Sequence, residues 1–215
     1  MSIQEPYNPL AKSNLGESIA GALLRTPAYP LSDTKRLAGA GIYALYYIGD
    51  FPPYAPMRDS NIEGRFERAI YVGKAVPKGS RKGSLELETA TGKALHRRLS
   101  LHRRSIMTAS NLESEDFHYR ALTVDDVWIS LGERVAIERF QPLWNKVIDG
   151  FGNNKPGQGR EGQVKSLWDT LHPGRRSELP DNPLTESAIR LRIQDFFSGQ
   201  LPASELLTEV DEDEQ

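Results

Sequence analysis

Two runs of β-branched and aromatic residues constrain the fold of this chain more than any other feature. The first, GAGIYALYYIG, covers residues 39–49, and the second, AIYVGKAV, covers residues 69–76. Such composition is typical of strands, and each run is followed by residues that end a strand. A third run, FHYRALTV at residues 117–124, alternates roughly between apolar and polar positions. The sequence therefore predicts a small sheet of three strands.

Helical periodicity indicates what surrounds this sheet. One helix is predicted over 92–107 and another over roughly 130–141, where Pro142 ends it. The order strand, strand, helix, strand, helix predicts a small α+β domain. Shorter helices are expected at 18–24, 162–171 and 185–198.

The remaining segments read as connections and extensions. An inserted loop is predicted at 50–69 because three prolines lie near its start. A polar loop is predicted at 78–89, and the glycine-rich, basic 150–162 predicts a flexible loop or clamp. The expected division is an N-terminal extension (1–37), a core (38–150), a C-terminal helical extension (151–203) and an acidic tail (204–215).

Composition excludes several classes of protein. The 215 residues include no cysteine, which rules out disulfides and thiolate metal sites and fits a reducing cytoplasm. No run of about 18 apolar residues or N-terminal signal pattern is present, so we expect no association with a membrane.

The net charge of −2 hides an uneven distribution. The tail at 204–215 holds six acidic groups and no basic one, so the other 203 residues carry 27 basic against 23 acidic groups. The block KALHRRLSLHRR at 93–104 contains five Lys or Arg, two His and no acid. This block indicates either an anionic partner or a solvated helix face.

The helix predicted over 92–107 places polar groups in its apolar stripe. The stripe consists of Leu95, Leu99 and Ile106, and the opposite side carries Lys93, Arg97 and Arg104. Arg98 and His102 fall within the stripe, one turn apart. They either snorkel at its edge or pair with a carboxylate, or they present a phosphate-facing Arg with a His one turn on.

Glu133 likewise points with an apolar stripe, formed by Ala136, Ile137 and Phe140. One explanation is a capping box in which Glu133 reaches back to the Ser130 amide. The other is a divalent metal ion, which would compensate an inward carboxylate.

The strand residues leave their roles open. Most strand tyrosines, here Tyr43, Tyr46, Tyr47 and Tyr71, simply pack, and Lys74 is an ordinary edge lysine by default. Gly73 within a strand can mark the close approach of a ligand or of backbone. The metalloprotease HExxH, the hydrolase GxSxG and a Walker sequence are all absent.

In chain order, GIYALYY, IYVGKAVP, Arg98 with His102, Glu133 and PLWN resemble the GIY-YIG nuclease superfamily. Within this superfamily the chain resembles one branch more closely, the type II restriction endonucleases that cut CCGCGG. The shared motifs stand at 41–47, 70–77, 110–112, 142–145, 149–153, 156–160 and 172–175. The resemblance covers about 38–176 and implies a three-stranded antiparallel sheet flanked by helices.

The resemblance also implies roles for individual residues. The first half of the motif is Gly41-Ile42-Tyr43, and the second is Tyr71-Val72-Gly73 rather than Tyr47-Ile48-Gly49. Tyr43 would deprotonate a water with the help of His102, Tyr71 would position that water, and Lys74 would support it electrostatically. Arg98 would stabilise phosphate charge. Glu133 would hold Mg²⁺, with Mn²⁺ as a substitute, and Asn145 would orient groups around the site.

The implied partner is double-stranded DNA with a palindromic GC-rich site, cut by a homodimer in a bacterial cytoplasm. A cognate DNA methyltransferase would belong to the same system without being a stable partner. Bases would be read from 50–69, 76–90 or 150–162. Candidate DNA-binding residues are Arg97, Arg104, Asn153, Asn154, Lys155 and Arg160.

Two alternatives stay open from the sequence alone. One is a repair or mobile-element nuclease of the same superfamily. The other is a DNA-binding module that has lost catalysis.

Overall fold

The structure, a computed structural model, describes residues 8, 10–34, 37–77, 92–152 and 163–207. Seven α-helices lie within these ranges: α1 Lys12–Arg25, α2 Ala55–Asn61, α3 Ala94–Thr108, α4 Asp126–Phe140, α5 Leu143–Lys146, α6 Leu167–Leu171 and α7 Glu186–Ser198. The strands of the described part are β1 Tyr29–Pro30, β2 Gly41–Tyr47, β3 Ala69–Ala75 and β4 Phe117–Thr123.

The strands form one antiparallel sheet in the order β1-β4-β2-β3. All seven residues of β2 are buried, since this strand has a neighbour on each side and helices above and below it. The strand β3 forms one edge of the sheet. It pairs with β2 so that Tyr43 lies opposite Gly73. The predicted α+β class and the three predicted strands are confirmed.

The fourth strand, β1, lies in the N-terminal extension, for which the sequence predicts no strand. It is two residues long and pairs Tyr29 with Tyr119 of β4. A strand that contains Pro30 is tolerated because it lies at the outer edge, where the missing N–H removes no bond from the centre of the sheet. Because this strand is only two residues long and contains a proline, its sequence shows no recognisable strand pattern.

Helices cover both faces of the sheet. On one face α4 packs against β2 and β3 and against α1, and a Cβ at Gly132 would lie 2.7 Å from the Ile19 side chain. On the other face α3 packs against the same two strands. Side chains alternate across a strand, so consecutive residues of β3 serve different faces.

Three predicted helices have other bounds in the structure. Residues 12–25 form α1, which is longer than the predicted 18–24, and α6 begins at Leu167 rather than near 162. The start of α4 is at Asp126, with Asp125 as its N-cap. Ser130 and Glu133 therefore lie inside a continuous helix, and the capping-box interpretation is wrong.

The insertion at 50–69 is structured, and its prediction as a loop is wrong. It contains two 3₁₀ turns, Pro52–Tyr54 and Ile62–Gly64, on either side of α2. Its three prolines occupy the first turns of helical segments, where no N–H is needed. The buried Asn61 donates to the carbonyls of Tyr47 and Arg68 and so ties the insertion to the sheet.

The C-terminal helix α7 packs on this insertion. Arg190 lies 5.0 Å from the ring centroid of Phe51, and Arg68 lies 4.8 Å from that of Phe197. Beyond α7, the N–H of Leu207 donates to the carbonyl of Lys146. The described helices include none that is long and apolar enough to cross a membrane. The predicted loop at 78–89, most of the glycine-rich segment and the end of the acidic tail lie outside the described residues.

Candidate active site

The two tyrosines of the motif lie side by side on neighbouring strands. Tyr43 is in β2 and Tyr71 in β3, and their ring centroids are 6.2 Å apart. Both side chains project to the α3 face, where a Cβ at Gly73 would lie 2.5 Å from the Tyr43 hydroxyl. Only glycine at position 73 leaves room for this hydroxyl. Tyr43, in the first half of the motif, therefore requires Gly73, the last residue of the second half.

His102 projects from α3 onto Tyr43. It is 2% exposed, and its Nε2 lies 2.6 Å from the Tyr43 hydroxyl oxygen. Burial, followed by the positive charges of Arg98 and Arg175, holds the pKa of His102 well below its usual value. The imidazole is therefore neutral, and one of its nitrogens remains available as an acceptor.

Arg98 lies one turn before His102 on the same helix face. It is half-buried, and its Nη2 donates to the carbonyl of Gly152 at 3.2 Å. The neighbouring Phe151 stacks on the His102 ring, with centroids 4.5 Å apart and an interplanar angle of 15°. The short segment after α5 thus contacts both polar residues of the α3 stripe.

Glu133 and Lys74 form an ion pair on the other face of β3. Glu133 Oε2 lies 3.1 Å from Lys74 Nζ, and the two side chains are 16% and 21% exposed. Because Lys74 directly follows Gly73, this pair and the tyrosines approach the same edge strand from opposite faces. The structure thus groups Tyr43, Tyr71 and His102 closely and sets Lys74 with Glu133 on the other side of the strand.

Asn145 holds this edge strand between the two groups. Its side-chain oxygen accepts from the Val72 N–H at 2.8 Å, and its side-chain nitrogen donates to the Val72 carbonyl at 2.9 Å. One amide group therefore binds both backbone groups that Val72 presents at the edge of the sheet. Through Val72 it positions Tyr71 and Gly73.

Glu133 is the residue of this arrangement whose carboxylate could hold a magnesium ion. Within the described ranges, no cluster of three or more His, Cys, Asp or Glu could form a metal cage. Mg²⁺ does not need such a cage, because it commonly uses one or two carboxylates, retains several waters and takes phosphate oxygens from the substrate.

The candidate DNA-binding residues divide into two sets. Arg97 and Arg104 are exposed on the outer side of α3, as the helical wheel predicts. Asn153, Asn154, Lys155 and Arg160 lie outside the described residues.

Motifs far apart in the sequence contact one another behind the site. The backbone N–H of Ser110, in the SNL motif, donates to the carbonyl of Pro173 in the HPGR motif. His172 Nδ1 lies 2.8 Å from the side-chain oxygen of Asn111, and Asn111 donates to the Leu171 carbonyl. These two motifs therefore form one joint between the end of α3 and the C-terminal extension.

The joint continues as a buried chain of hydrogen bonds. Because Asn111 offers an oxygen, His172 carries its proton on Nδ1 and accepts at Nε2 from the Tyr54 hydroxyl, 2.6 Å away. Tyr54 in turn accepts from the Trp144 indole N–H at 2.9 Å. Burial, followed by the charges of Arg190 and Arg175, lowers the pKa of His172 to about 3, so this ring is neutral. The chain links the insertion, α5 and the C-terminal extension.

Sequence reasoning assigned no role to Phe151, His172 or Arg175. The sequence feature that could have identified these residues is their position in the DGFGN and HPGR motifs. A shared motif indicates that its residues matter but does not say what each one does. What they contact depends on segments that are distant in sequence.

The comparison with known families follows this geometry. The sequence model of the Eco29kI GIY-YIG domain matches residues 35–197, which include both tyrosines, α3, α4 and the joint. No curated protein matches the chain. The chain therefore belongs to the Eco29kI GIY-YIG domain family, a family of GIY-YIG restriction endonucleases.

Proposed function

We propose that this protein is a type II restriction endonuclease that hydrolyses phosphodiester bonds of double-stranded DNA at a palindromic GC-rich site, CCGCGG. It uses Mg²⁺, with Mn²⁺ as a substitute, and acts as a homodimer. It works in a bacterial cytoplasm beside a cognate DNA methyltransferase. The observation that carries the proposal is the Tyr43–His102 hydrogen bond beside Tyr71, in a chain of a restriction endonuclease family.

Proton transfer from the attacking water is the task of Tyr43 and His102. A phenol has an ordinary pKa of about 10 and is a weak base unless a neighbour takes its proton. Neutral His102 lies at hydrogen-bonding distance and accepts that proton as Tyr43 takes one from water. Burial and two nearby arginines disfavour the imidazolium, so the resting His102 is the neutral ring that is able to accept a proton from Tyr43.

The arginine and the second tyrosine act on the substrate. Arg98 stabilises the charge that develops on the phosphate oxygens, a role that a planar guanidinium fills well. Tyr71, fixed through the clasp of Asn145 on Val72, positions the water. Lys74 lies on the other face of β3 and supports this water electrostatically across the edge of the sheet.

Glu133 is the residue that would hold Mg²⁺, which when bound neutralises charge on a phosphate oxygen and on the leaving 3′-oxygen. Without the ion, Lys74 compensates the carboxylate.

Specificity for CCGCGG rests on the ordered motifs that the chain shares with enzymes of that specificity. A palindrome has two-fold symmetry, and a homodimer with one site per chain matches it. Arg or Lys side chains against guanine in the major groove are the simplest readers of G·C pairs.

Digestion of a plasmid of known sequence with Mg²⁺, followed by sequencing of the ends, tests the proposal. Discrete ends at CCGCGG are expected. Discrete ends at another sequence would overturn the specificity alone. Absence of cleavage with purified, folded protein would favour the catalytically inactive DNA-binding module, and scattered ends would favour a repair-type nuclease.

Glu133→Ala tests the metal assignment. We expect Mg²⁺-dependent cleavage to be lost, because a carboxylate is the preferred protein ligand of Mg²⁺, while DNA binding without divalent cation is retained. Glu138→Ala is the matched control, since Glu138 lies on the same helix and is exposed. Undiminished cutting by the Glu133 variant would contradict the assignment.

A further inference from the structure

Arg175 is a half-buried arginine whose three guanidinium nitrogens are all engaged. Nε contacts Asp169 Oδ1 at 2.6 Å, Nη2 donates to the Gly150 carbonyl at 2.8 Å, and Nη1 donates to the Phe151 carbonyl at 3.3 Å. The guanidinium also stacks over Trp168, with its carbon 4.3 Å from the ring centroid. This combination of forked bonds and stacking is one that only arginine provides.

The partners of Arg175 are themselves fixed. Asp169 accepts from the hydroxyl of Ser166 through its side chain, and its own N–H donates back to that hydroxyl at the start of α6. Gly174 packs so tightly on the end of α3 that a Cβ would overlap the Thr108 carbonyl. Arg175 therefore projects from a rigid base.

The segment that Arg175 holds contacts three residues of the candidate active site. Phe151 stacks on the His102 imidazole, and its ring also lies 5.0 Å from that of Tyr71. The next carbonyl, that of Gly152, accepts from Arg98. A shift of this backbone would change the tilt of the imidazole and the place of the guanidinium together.

We propose that Arg175 is a positioning residue for DNA cleavage, which fixes the backbone of Gly150 and Phe151 so that Phe151 aligns His102 and the Gly152 carbonyl aligns Arg98. The inference rests on the proposed function. Arg175 acts through this segment and not on the substrate.

Arg175→Lys and Arg175→Gln separate geometry from charge. Both lose the fork, and both are expected to lower the single-turnover cleavage rate by about tenfold to a hundredfold, because a misplacement of about 1 Å has such an effect. The dissociation constant for DNA is expected to change far less. The variants are compared at a temperature at which circular dichroism shows each to be folded.

The pH profile distinguishes this role from a purely structural one. Two positive charges act on the His102 imidazole, that of Arg98 on the same helix and that of Arg175. Tyr43 and Tyr71 face the imidazole from the sheet. Removing a positive charge favours the imidazolium and raises the pKa of His102. The acid limb of the rate profile is therefore expected to move to higher pH in Arg175→Gln and to stay in place in Arg175→Lys.

Arg190→Gln is the matched control. Arg190 is also half-buried on the C-terminal extension and contacts a carboxylate, that of Glu186, and an aromatic ring, that of Phe51. We expect its cleavage rate and pH profile to match those of the wild type. Wild-type rates in both Arg175 variants would overturn the proposal.

Two further measurements cover the cases in which Arg175→Gln does not fold or the wild type cuts no DNA. Phe151→Leu removes the stacking ring and leaves Arg175 in place, and the same loss of rate is expected; a wild-type rate would overturn the proposal even if Arg175→Gln did not fold. If the wild type itself cuts no DNA, the proposed function fails, and ring NMR signals of His102 then decide. A shift in Arg175→Lys supports positioning, and unchanged signals overturn it.

Discussion

Tyr43 differs from its neighbours on β2 in what its hydroxyl contacts. The Tyr43 hydroxyl lies against His102, that of Tyr47 accepts from the Phe51 N–H at 2.7 Å, and that of Tyr46 is buried without a hydrogen-bond partner in the described part of the chain. Burial raises the pKa of both Tyr46 and Tyr47 to about 12. Of these three phenols, Tyr43 is the one placed for proton transfer to an imidazole.

Phenylalanine substitutions along this strand test that difference. Tyr43→Phe is expected to lower the cleavage rate by about 10²–10⁴-fold, the usual contribution of a general base. Tyr71→Phe is expected to lower the rate as well. The measurement is single-turnover cleavage of a short duplex that contains the site.

Two controls come from the same strand. Tyr46→Phe removes a hydroxyl without a described partner and is expected to preserve both rate and stability. Tyr47→Phe leaves the Phe51 N–H unpaired and is expected to lower the free energy of unfolding by about 1–3 kcal/mol, with little effect on rate. A loss of cleavage at Tyr47 equal to that at Tyr43 would show that Tyr47-Ile48-Gly49, and not Tyr71-Val72-Gly73, is the second half of the motif.

At the scale of elements, the site is organised around the edge strand β3. The tyrosines and His102 approach it from one face, Lys74 with Glu133 from the other, and Asn145 along its edge. An edge strand allows this because its outer backbone groups are not used by another strand. The element boundaries matter too, since the start of α4 at Asp126 places Glu133 inside the helix and not at its cap.

Asn145→Asp tests the clasp on β3. The carboxylate still accepts from the Val72 N–H but no longer donates to the Val72 carbonyl. We expect the free energy of unfolding to fall by about 1–3 kcal/mol, measured by urea denaturation, and the cleavage rate of the folded variant to fall as well.

Asn182→Asp is the control for this effect. Asn182 makes the same two kinds of bond, from its side chain to the Lys165 carbonyl and from the Leu184 N–H to its side chain. It lies in the loop before α7, so a similar loss of stability with an unchanged cleavage rate is expected. Equal rates in the two variants would contradict a role of the clasp in catalysis.

At the scale of the whole molecule, buried histidines make stability depend on pH. The pKa of His172 is about 3 in the folded chain against an ordinary value of about 6.5, and that of His102 is lowered in the same direction. Below pH 6.5 the unfolded chain binds protons that the folded chain does not bind. Stability is therefore lost as the pH falls through the unfolded value.

Urea denaturation at pH 7.5 and pH 5.5 measures this loss. The His172 site alone is expected to lower the free energy of unfolding by about 1.4 kcal/mol over this interval, and His102 adds to the loss. Both pH values lie above the ordinary pKa values of carboxyl groups, so protonation of the histidines is the main change over this interval. A free energy of unfolding that is unchanged or higher at pH 5.5 would show that these rings are charged in the folded chain.

The insertion and the C-terminal extension complete the molecule by contacting each other. Tyr54, from the insertion, accepts from Trp144 and donates to His172, while Arg190 of α7 covers Phe51. The joint between the SNL and HPGR motifs lies directly behind this contact. The parts outside the small nuclease core therefore stabilise the segment that holds His102 and Arg98.

The amino-acid sequence by itself determined the α+β class, the three main strands and the inward faces of Arg98, His102 and Glu133. These properties depend on periodicity and composition within about 15 residues, which a single helix or strand expresses locally. The resemblance to the GIY-YIG superfamily added the prediction that Tyr71, and not Tyr47, belongs to the second half of the motif, because Tyr47 lies on the same strand as Tyr43.

Only the tertiary structure decided which of these residues contact one another and which groups hold them. The Asn145 clasp, the ring of Phe151 on His102 and the fork of Arg175 join segments that are 24 to 73 positions apart. The insertion likewise became helical because its buried side chains have a sheet and α7 to pack against. Such contacts depend on which distant segments the fold brings together, and the local pattern of residues does not contain that information.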